Sequence, residues 1–141
     1  MRARRLRGTG EWMAATFMAL ALTSLTGCGK DEEADAAKLL GVTVTPGDRL
    51  AANEIFSSRC AVCHGPMGAG DGAAAATLTP RPRKFQDHDW QASVTNDHIN
   101  TIIRLGGPAV GKSALMPANA DLEDHKGVVA ALTGRIRGFG R

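Results

Sequence analysis

The chain has 141 residues, a mass of 14.8 kDa and a formal net charge of +3, enough for one domain with a modest core. The excess of base is confined to Arg2, Arg4, Arg5 and Arg7, which meet Glu11 alone, while residues 28–141 balance acids against bases. With its remaining cations dispersed, the chain lacks the basic patch that a nucleic-acid partner would require.

Residues 1–11 form a basic leader, and Trp12 to Leu25 are apolar or small. That run is shorter than the roughly 20 residues that cross a bilayer as a permanent helix, so residues 1–27 read as an export signal peptide. It ends in Leu25-Thr26-Gly27-Cys28, which resembles the lipobox of bacterial lipoproteins. The resemblance implies cleavage before Cys28 and acylation of that cysteine, with several acyl chains giving stable membrane anchoring. An ordinary cut after Ala19-Leu20-Ala21 is the alternative, but it leaves Cys28 as an unexplained thiol. Arg4-Arg5 matches a twin-arginine export signal only in the pair itself.

Residues 28–43 open with Lys30-Asp31-Glu32-Glu33-Ala34-Asp35 and hold no large apolar group before Leu39-Leu40. A stretch this short and acidic is at best a fraying helix in water. It is expected to be a lipid-anchored tether, reaching about 20 Å on average and roughly 50 Å when extended.

The working domain is expected over 44–141. Thr45-Pro46-Gly47-Asp48 has the form of a capping box with proline at the first helical position. A helix from there to about Ser58 would bury Leu50, Ile55 and Phe56.

Cys60-Ala61-Val62-Cys63-His64 follows. This C-x-x-C-H spacing is an attachment signature for c-type haem, because two thiols three positions apart can each form a thioether to one porphyrin. His64 is then placed as the proximal iron ligand. A redox dithiol would need a strand–helix context that the preceding helix does not supply. A zinc site would need a second Cys/His pair at short spacing, and none is present. One covalent haem c is therefore the expected cofactor.

Ala73–Ala76 reads as a loop or a single turn. Thr95 caps a second helix, with Asp97 in its first turn, Ile99, Ile102 and Ile103 as its apolar stripe, and Gly106-Gly107 at its end. Gly106 to Ser113 satisfies the phosphate-loop pattern G-x-x-x-x-G-K-[ST]. It follows an amphipathic helix and not a strand, and Pro117 interrupts any helix beginning at Lys112, so no nucleotide is expected. A third helix is expected from about Glu123 to Arg135, with Val128, Val129 and Leu132 facing inward. Gly127 inside it would weaken it by roughly 1 kcal/mol relative to alanine.

The sixth iron ligand has five candidates: Met67, Met116, His88, His98 and His125. Met67 stands too close to His64 to reach the opposite face. The three histidines sit among aspartates and polar residues and read as solvated. Met116 lies in Leu115-Met116-Pro117, where proline stiffens the chain and biases Met116 towards an extended conformation. Met116 is the expected ligand. Beyond the leader only Phe56, Phe85, Trp90 and Phe139 are aromatic, too few for a dense core, so a buried porphyrin is expected to complete it.

From about Thr45 to Arg137 the chain resembles a bacterial class I, single-haem cytochrome c. The similarity is carried by Glu54-Ile55-Phe56, C-x-x-C-H with His64-Gly65, Gly68-Ala69-Gly70-Asp71-Gly72, Pro80-Arg81-Pro82-Arg83-Lys84-Phe85, Ile99 to Gly107, and Leu115-Met116-Pro117. The resemblance implies an all-α fold in which helices and loops wrap one haem and the N- and C-terminal helices cross beside it. It implies a single-electron carrier, not an enzyme, that works between redox partner proteins. Pro80 should accept the His64 Nδ1 proton, with Pro82 as the competitor, and Arg83 and Trp90 match positions that meet haem propionates. The family often places an aromatic where Leu132 stands, so the helix crossing is expected to be loose. A haem enzyme or ligand sensor with a dissociable Met116, or the haem subunit of a dehydrogenase or oxidase complex, are the alternative roles. Haem c is attached outside the cytoplasm, which with Cys28 implies a lipid-anchored protein facing the periplasm or extracytoplasmic space.

Overall fold

The computed structural model describes residues 29–141; the signal peptide and the lipidation expected at Cys28 lie outside them. Six α-helices occur among the described residues: α1 (Gly29–Leu40), α2 (Pro46–Ile55), α3 (Ala61–His64), α4 (His88–Ser93), α5 (Asn96–Leu105) and α6 (Lys126–Gly138). Short 3₁₀ turns at Ala75–Thr77, Pro108–Val110 and Ala120–Leu122 punctuate the loops. There is no strand among the described residues, and none of their helices is long and apolar enough to cross a membrane.

α2 begins as its sequence dictates. The Thr45 hydroxyl accepts from the Asp48 N–H, while the Asp48 carboxylate accepts from the Thr45 N–H at 2.8 Å, a reciprocal box that satisfies helix-end donors. The helix does not run regularly to Ser58. It widens at Phe56–Cys60 into a π-type turn, in which the Ala61 N–H donates to the Phe56 carbonyl five residues back, and continues as α3. Leu50, expected in the core, is 72% exposed, and Ala52 is buried in its place. Phe56 is fully buried and Ile55 half-buried.

α5 is capped by Thr95, whose hydroxyl accepts from the His98 N–H, and it ends at Gly106 with φ +78°. Ile99 and Ile103 are buried, and Ile102 is half-buried. α6 starts later than expected because Leu122 turns into the core on its own 3₁₀ turn. Val128, Val129 and Leu132 face inward as expected. Gly127 answers a packing need: a Cβ there would stand 2.6 Å from an Asp48 carboxylate oxygen. The α2–α6 crossing is therefore close at this point, against the loose contact expected.

The acidic stretch expected to be a tether is α1, and it is docked. Ala36 and Ala37 pack with Ala130 in a small apolar cluster, and Gly134 lies so close that a Cβ would meet Glu33 at 2.7 Å. Glu33 accepts a forked pair from Arg49, and Asn96 donates to Glu32 at 3.0 Å. The physical reason is the match of small residues on both helices, which lets backbones approach without large side chains. The principal core gathers Phe56, Phe85, Ile99, Ile103, Leu122, Val129, Leu132 and Ile136 between α2, α5 and α6.

Candidate haem-binding site

The attachment motif runs from Cys60, the last residue of the π-type turn, through α3. Cys60 and Cys63 are thiols not joined in a disulfide, and His64 is the last residue of the helix. The loop after it is laced back onto the motif: Gly70 N–H donates to the His64 carbonyl at 2.8 Å, Gly72 N–H to Cys63, and Ala74 N–H to Val62. These donors satisfy the carbonyls that a helix end leaves unpaired. Glycine is required at Gly72, where a Cβ would collide with the Ala61 and Val62 carbonyls, and at Gly65, where φ is +77° and a Cβ would collide with Asp71.

The His64 Nδ1 lies 3.0 Å from the Arg83 carbonyl. A carbonyl only accepts, so Nδ1 carries the proton and Nε2 keeps its lone pair for a metal. This corrects the expectation for Pro80 and for its competitor Pro82. The Pro82 carbonyl faces Gly70, where a Cβ would meet it at 2.7 Å, and the chain then pairs Phe85 N–H with the Gly68 carbonyl. That register presents Arg83, and not either proline, to the imidazole. The Phe85 ring stacks on His64 with centroids 4.4 Å apart. Burial pushes the His64 pKa down, and the hydrogen bond to Arg83 opposes this only in part. A neutral imidazole is the ligating form.

Burial pushes the Cys60 thiol up to about 11, with Arg59 and Arg135 opposing. A redox dithiol depends on a thiolate stabilised well below the usual range, so this environment argues against that chemistry. No group of three His, Cys, Asp or Glu side chains suited to a metal ion occurs among the described residues.

Met116 is positioned by the end of α5. Gly107 N–H donates to the Met116 carbonyl at 2.9 Å, Lys112 N–H to the Gly107 carbonyl, and Asn119 N–H to the Arg104 carbonyl. The Asn119 side chain adds a bond to the Ile103 carbonyl at 2.7 Å. A Cβ at Gly106 would press on the Met116 carbonyl, and one at Gly107 would collide with that of Ser113. The glycine pair that ends α5 is thus also the seat of the methionine loop. Gly106–Ser113, which carries the phosphate-loop pattern, is a helix end and a 3₁₀ turn preceded by α5.

His64 and Met116 line one apolar cavity, together with Cys60, Phe56, Phe85, Ile103, Leu132 and Ile136. Arg83 and Trp90 stand together beside it, the guanidinium 5.9 Å from the indole centroid and 3.7 Å from Asp87. Trp90 belongs to α4, a short helix capped by Asp87 that hydrophobic periodicity did not reveal; the Asp87-His88-Asp89 run held its only signal. His88 and His125 are exposed and His98 is half-buried, and none of the three lines the cavity. Two residues that sequence reasoning passed over support the site from outside. Arg135 lies 4.5 Å over the Phe56 ring, and Arg137 binds Asn96, Gln91 and Val94 with 9% of its side chain exposed.

The donor set fits a haem: two thiols at the required spacing, a neutral imidazole and a thioether, around an apolar space in an all-helical scaffold. These features define a c-type haem protein. The family model described as Cytochrome c matches residues 50–130, and the chain belongs to that family. No individual curated protein and no solved structure matches it. Membership brings covalently bound haem c and haem-based electron transfer.

Proposed function

We propose that the protein is a single-haem electron carrier of the bacterial class I type, in which His64 and Met116 would ligate the haem iron and Cys60 and Cys63 would form the thioether anchors. The observation that carries this reading is the shared cavity lined by His64 and Met116, two residues far apart in sequence and each held by its own backbone network. Bound haem supplies a single Fe(III)/Fe(II) couple. The chain's part is to keep both ligands in place in either oxidation state, so that little rearranges when an electron moves. The soft Met116 thioether favours the reduced form, and the apolar walls exclude water. Arg83 and Trp90 are the groups proposed to meet the haem carboxylates. Acylated Cys28 holds the domain to a membrane, facing the periplasm or extracytoplasmic space, where donor and acceptor proteins are met.

Absorption spectra of the membrane-extracted protein test this. Sharp c-type bands on dithionite reduction, a weak far-red thioether band when oxidised, and no shift under carbon monoxide are expected. High-spin features or a carbon monoxide shift would overturn closed His/Met ligation and favour a haem enzyme or ligand sensor. Met116→Ala should retain covalent haem, lower the potential and open the iron to carbon monoxide.

A further inference from the structure

α1 departs furthest from what the sequence leads one to expect, and its placement bears on how the protein meets a membrane. It runs antiparallel to α6: Glu32 approaches Arg137, Glu33 lies on Gly134, and Ala36 and Ala37 reach Ala130. Arg49 of α2 and Asn96 of α5 hold its first turns through Glu33 and Glu32. Successive residues of a helix are about 100° apart, which puts Ala130, Gly134 and Arg137 on the face of α6 opposite Leu132 and Ile136. Leu132 and Ile136 are cavity wall. α6 is therefore gripped by α1 on one face and lines the haem cavity with the other.

Resting on the acylated Cys28 of the reading above, we propose that α1 is a rigid mount that seats the domain directly on the bilayer in one orientation. Cys28 is joined directly to Gly29, the first residue of α1, so no linker separates a lipid carried there from the docked helix. A flexible segment of this length would instead give roughly 50 Å of reach. The anchored pole comprises the start of α1, the end of α6 and the α4–α5 junction, drawn together by Arg137 through Glu32, Asn96, Gln91 and Val94. The cavity wall is left uncovered by the mount. The partner this fits is a redox protein held in the same membrane, met by lateral diffusion.

The test uses the full chain extracted from membranes, with acylation of Cys28 read by intact mass. The protein is reconstituted in phosphatidylcholine–phosphatidylglycerol vesicles carrying a trace of headgroup-labelled lipid, whose emission the haem quenches by energy transfer at short range. Strong quenching is expected for the natural chain. A several-fold loss is expected when a flexible Gly/Ser linker of about fifteen residues is inserted between Cys28 and Gly29. Trypsin should cut Gly134→Leu at Lys38 several-fold faster than the natural chain, because the new side chain lifts α1 while the haem spectrum stays unchanged. Equal quenching with and without the linker, or equally fast cutting at Lys38 in both chains, overturns the mount. Absence of acyl mass with α1 still protected overturns the anchoring reading, and the mount with it, while showing that the helix is docked.

Discussion

Arg137 is a single side chain on which three helices depend. Its guanidinium donates to Asn96 Oδ1 at 2.7 Å, to the Gln91 carbonyl at 2.6 Å and to the Val94 carbonyl at 2.6 Å, and it approaches Glu32 at 3.5 Å. Truncation leaves Asn96 Oδ1 and the Gln91 and Val94 carbonyls without that donor in a part-buried setting. Arg137→Ala should lower stability by about 3 kcal/mol, read as a shift of the denaturant midpoint at constant slope. Arg137→Lys should recover less than half, since an ammonium cannot reproduce a planar fork. Gly107 supplies a second residue-level test, aimed at the site. A Cβ there collides with the Ser113 carbonyl and displaces the loop that carries Met116. Under the proposed ligation, Gly107→Ala should let reduced protein bind carbon monoxide while the haem stays covalently attached. Residues of this kind were unequally legible. C-x-x-C-H and Met116-Pro117 can be singled out because the chemistry proposed for them lies in type and spacing, and the fold brings Cys60, His64 and Met116 to one cavity. The Arg83 carbonyl does not, since any residue has a carbonyl and only the register along Gly68–Gly70 decides which one meets His64. Arg137 reads as one more terminal cation until α4 and α5 are folded beneath it.

The helices that could be read from the chain are those whose ends carry local signals. Thr45 and Thr95 cap α2 and α5 through hydroxyls that accept backbone N–H groups, and the Ile99–Ile103 stripe follows the helical period. α1 escaped because a small-on-small interface of Ala36, Ala37, Ala130 and Gly134 has no large apolar residue to betray it. Leu50 misled for the opposite reason, since a large apolar side chain can stand exposed. The α2 cap has a pH consequence. Hydrogen bonds from Thr45 hold the Asp48 carboxyl below its ordinary 3.8, assisted by the charges of Arg49 and His125. A carboxyl depressed on folding adds stability that is complete above pH 4 and is lost as pH falls through its folded value. Thr45→Ala should cost about 1 kcal/mol at neutral pH, and the difference from the natural chain should shrink as Asp48 protonates below that point. Glu123 behaves in the same sense, its carboxyl held low by Arg104. Thermal melts from pH 2 to 7 check both.

At the scale of the whole molecule, the cavity shared by His64 and Met116 is part of the core. Phe56, Phe85, Ile103, Leu132 and Ile136 belong to the main apolar cluster and also line the space between His64 and Met116. The faces that α2, α5 and α6 turn inward thus serve both the core and the proposed haem site. The helices are not equally dependent on it. α1 grips the far side of α6 through alanines, Gly134 and the Glu32–Arg137 ion pair, none of which lines the cavity. Loss of haem should consequently divide the structure, removing fixed packing around Phe56 and Phe85 while leaving much of the helical backbone. The Cys60→Ser, Cys63→Ser double variant, which cannot form the thioethers, is the means to see this. Its far-UV circular dichroism should keep a large share of the helical signal. Its near-UV signal from Trp90 and the phenylalanines should collapse, a hydrophobic dye should bind, and the thermal transition should broaden. A sharp transition with an intact near-UV spectrum would show that the protein side chains alone complete the core. The low aromatic content would then be sufficient by itself, and the haem would serve the electron and not the fold.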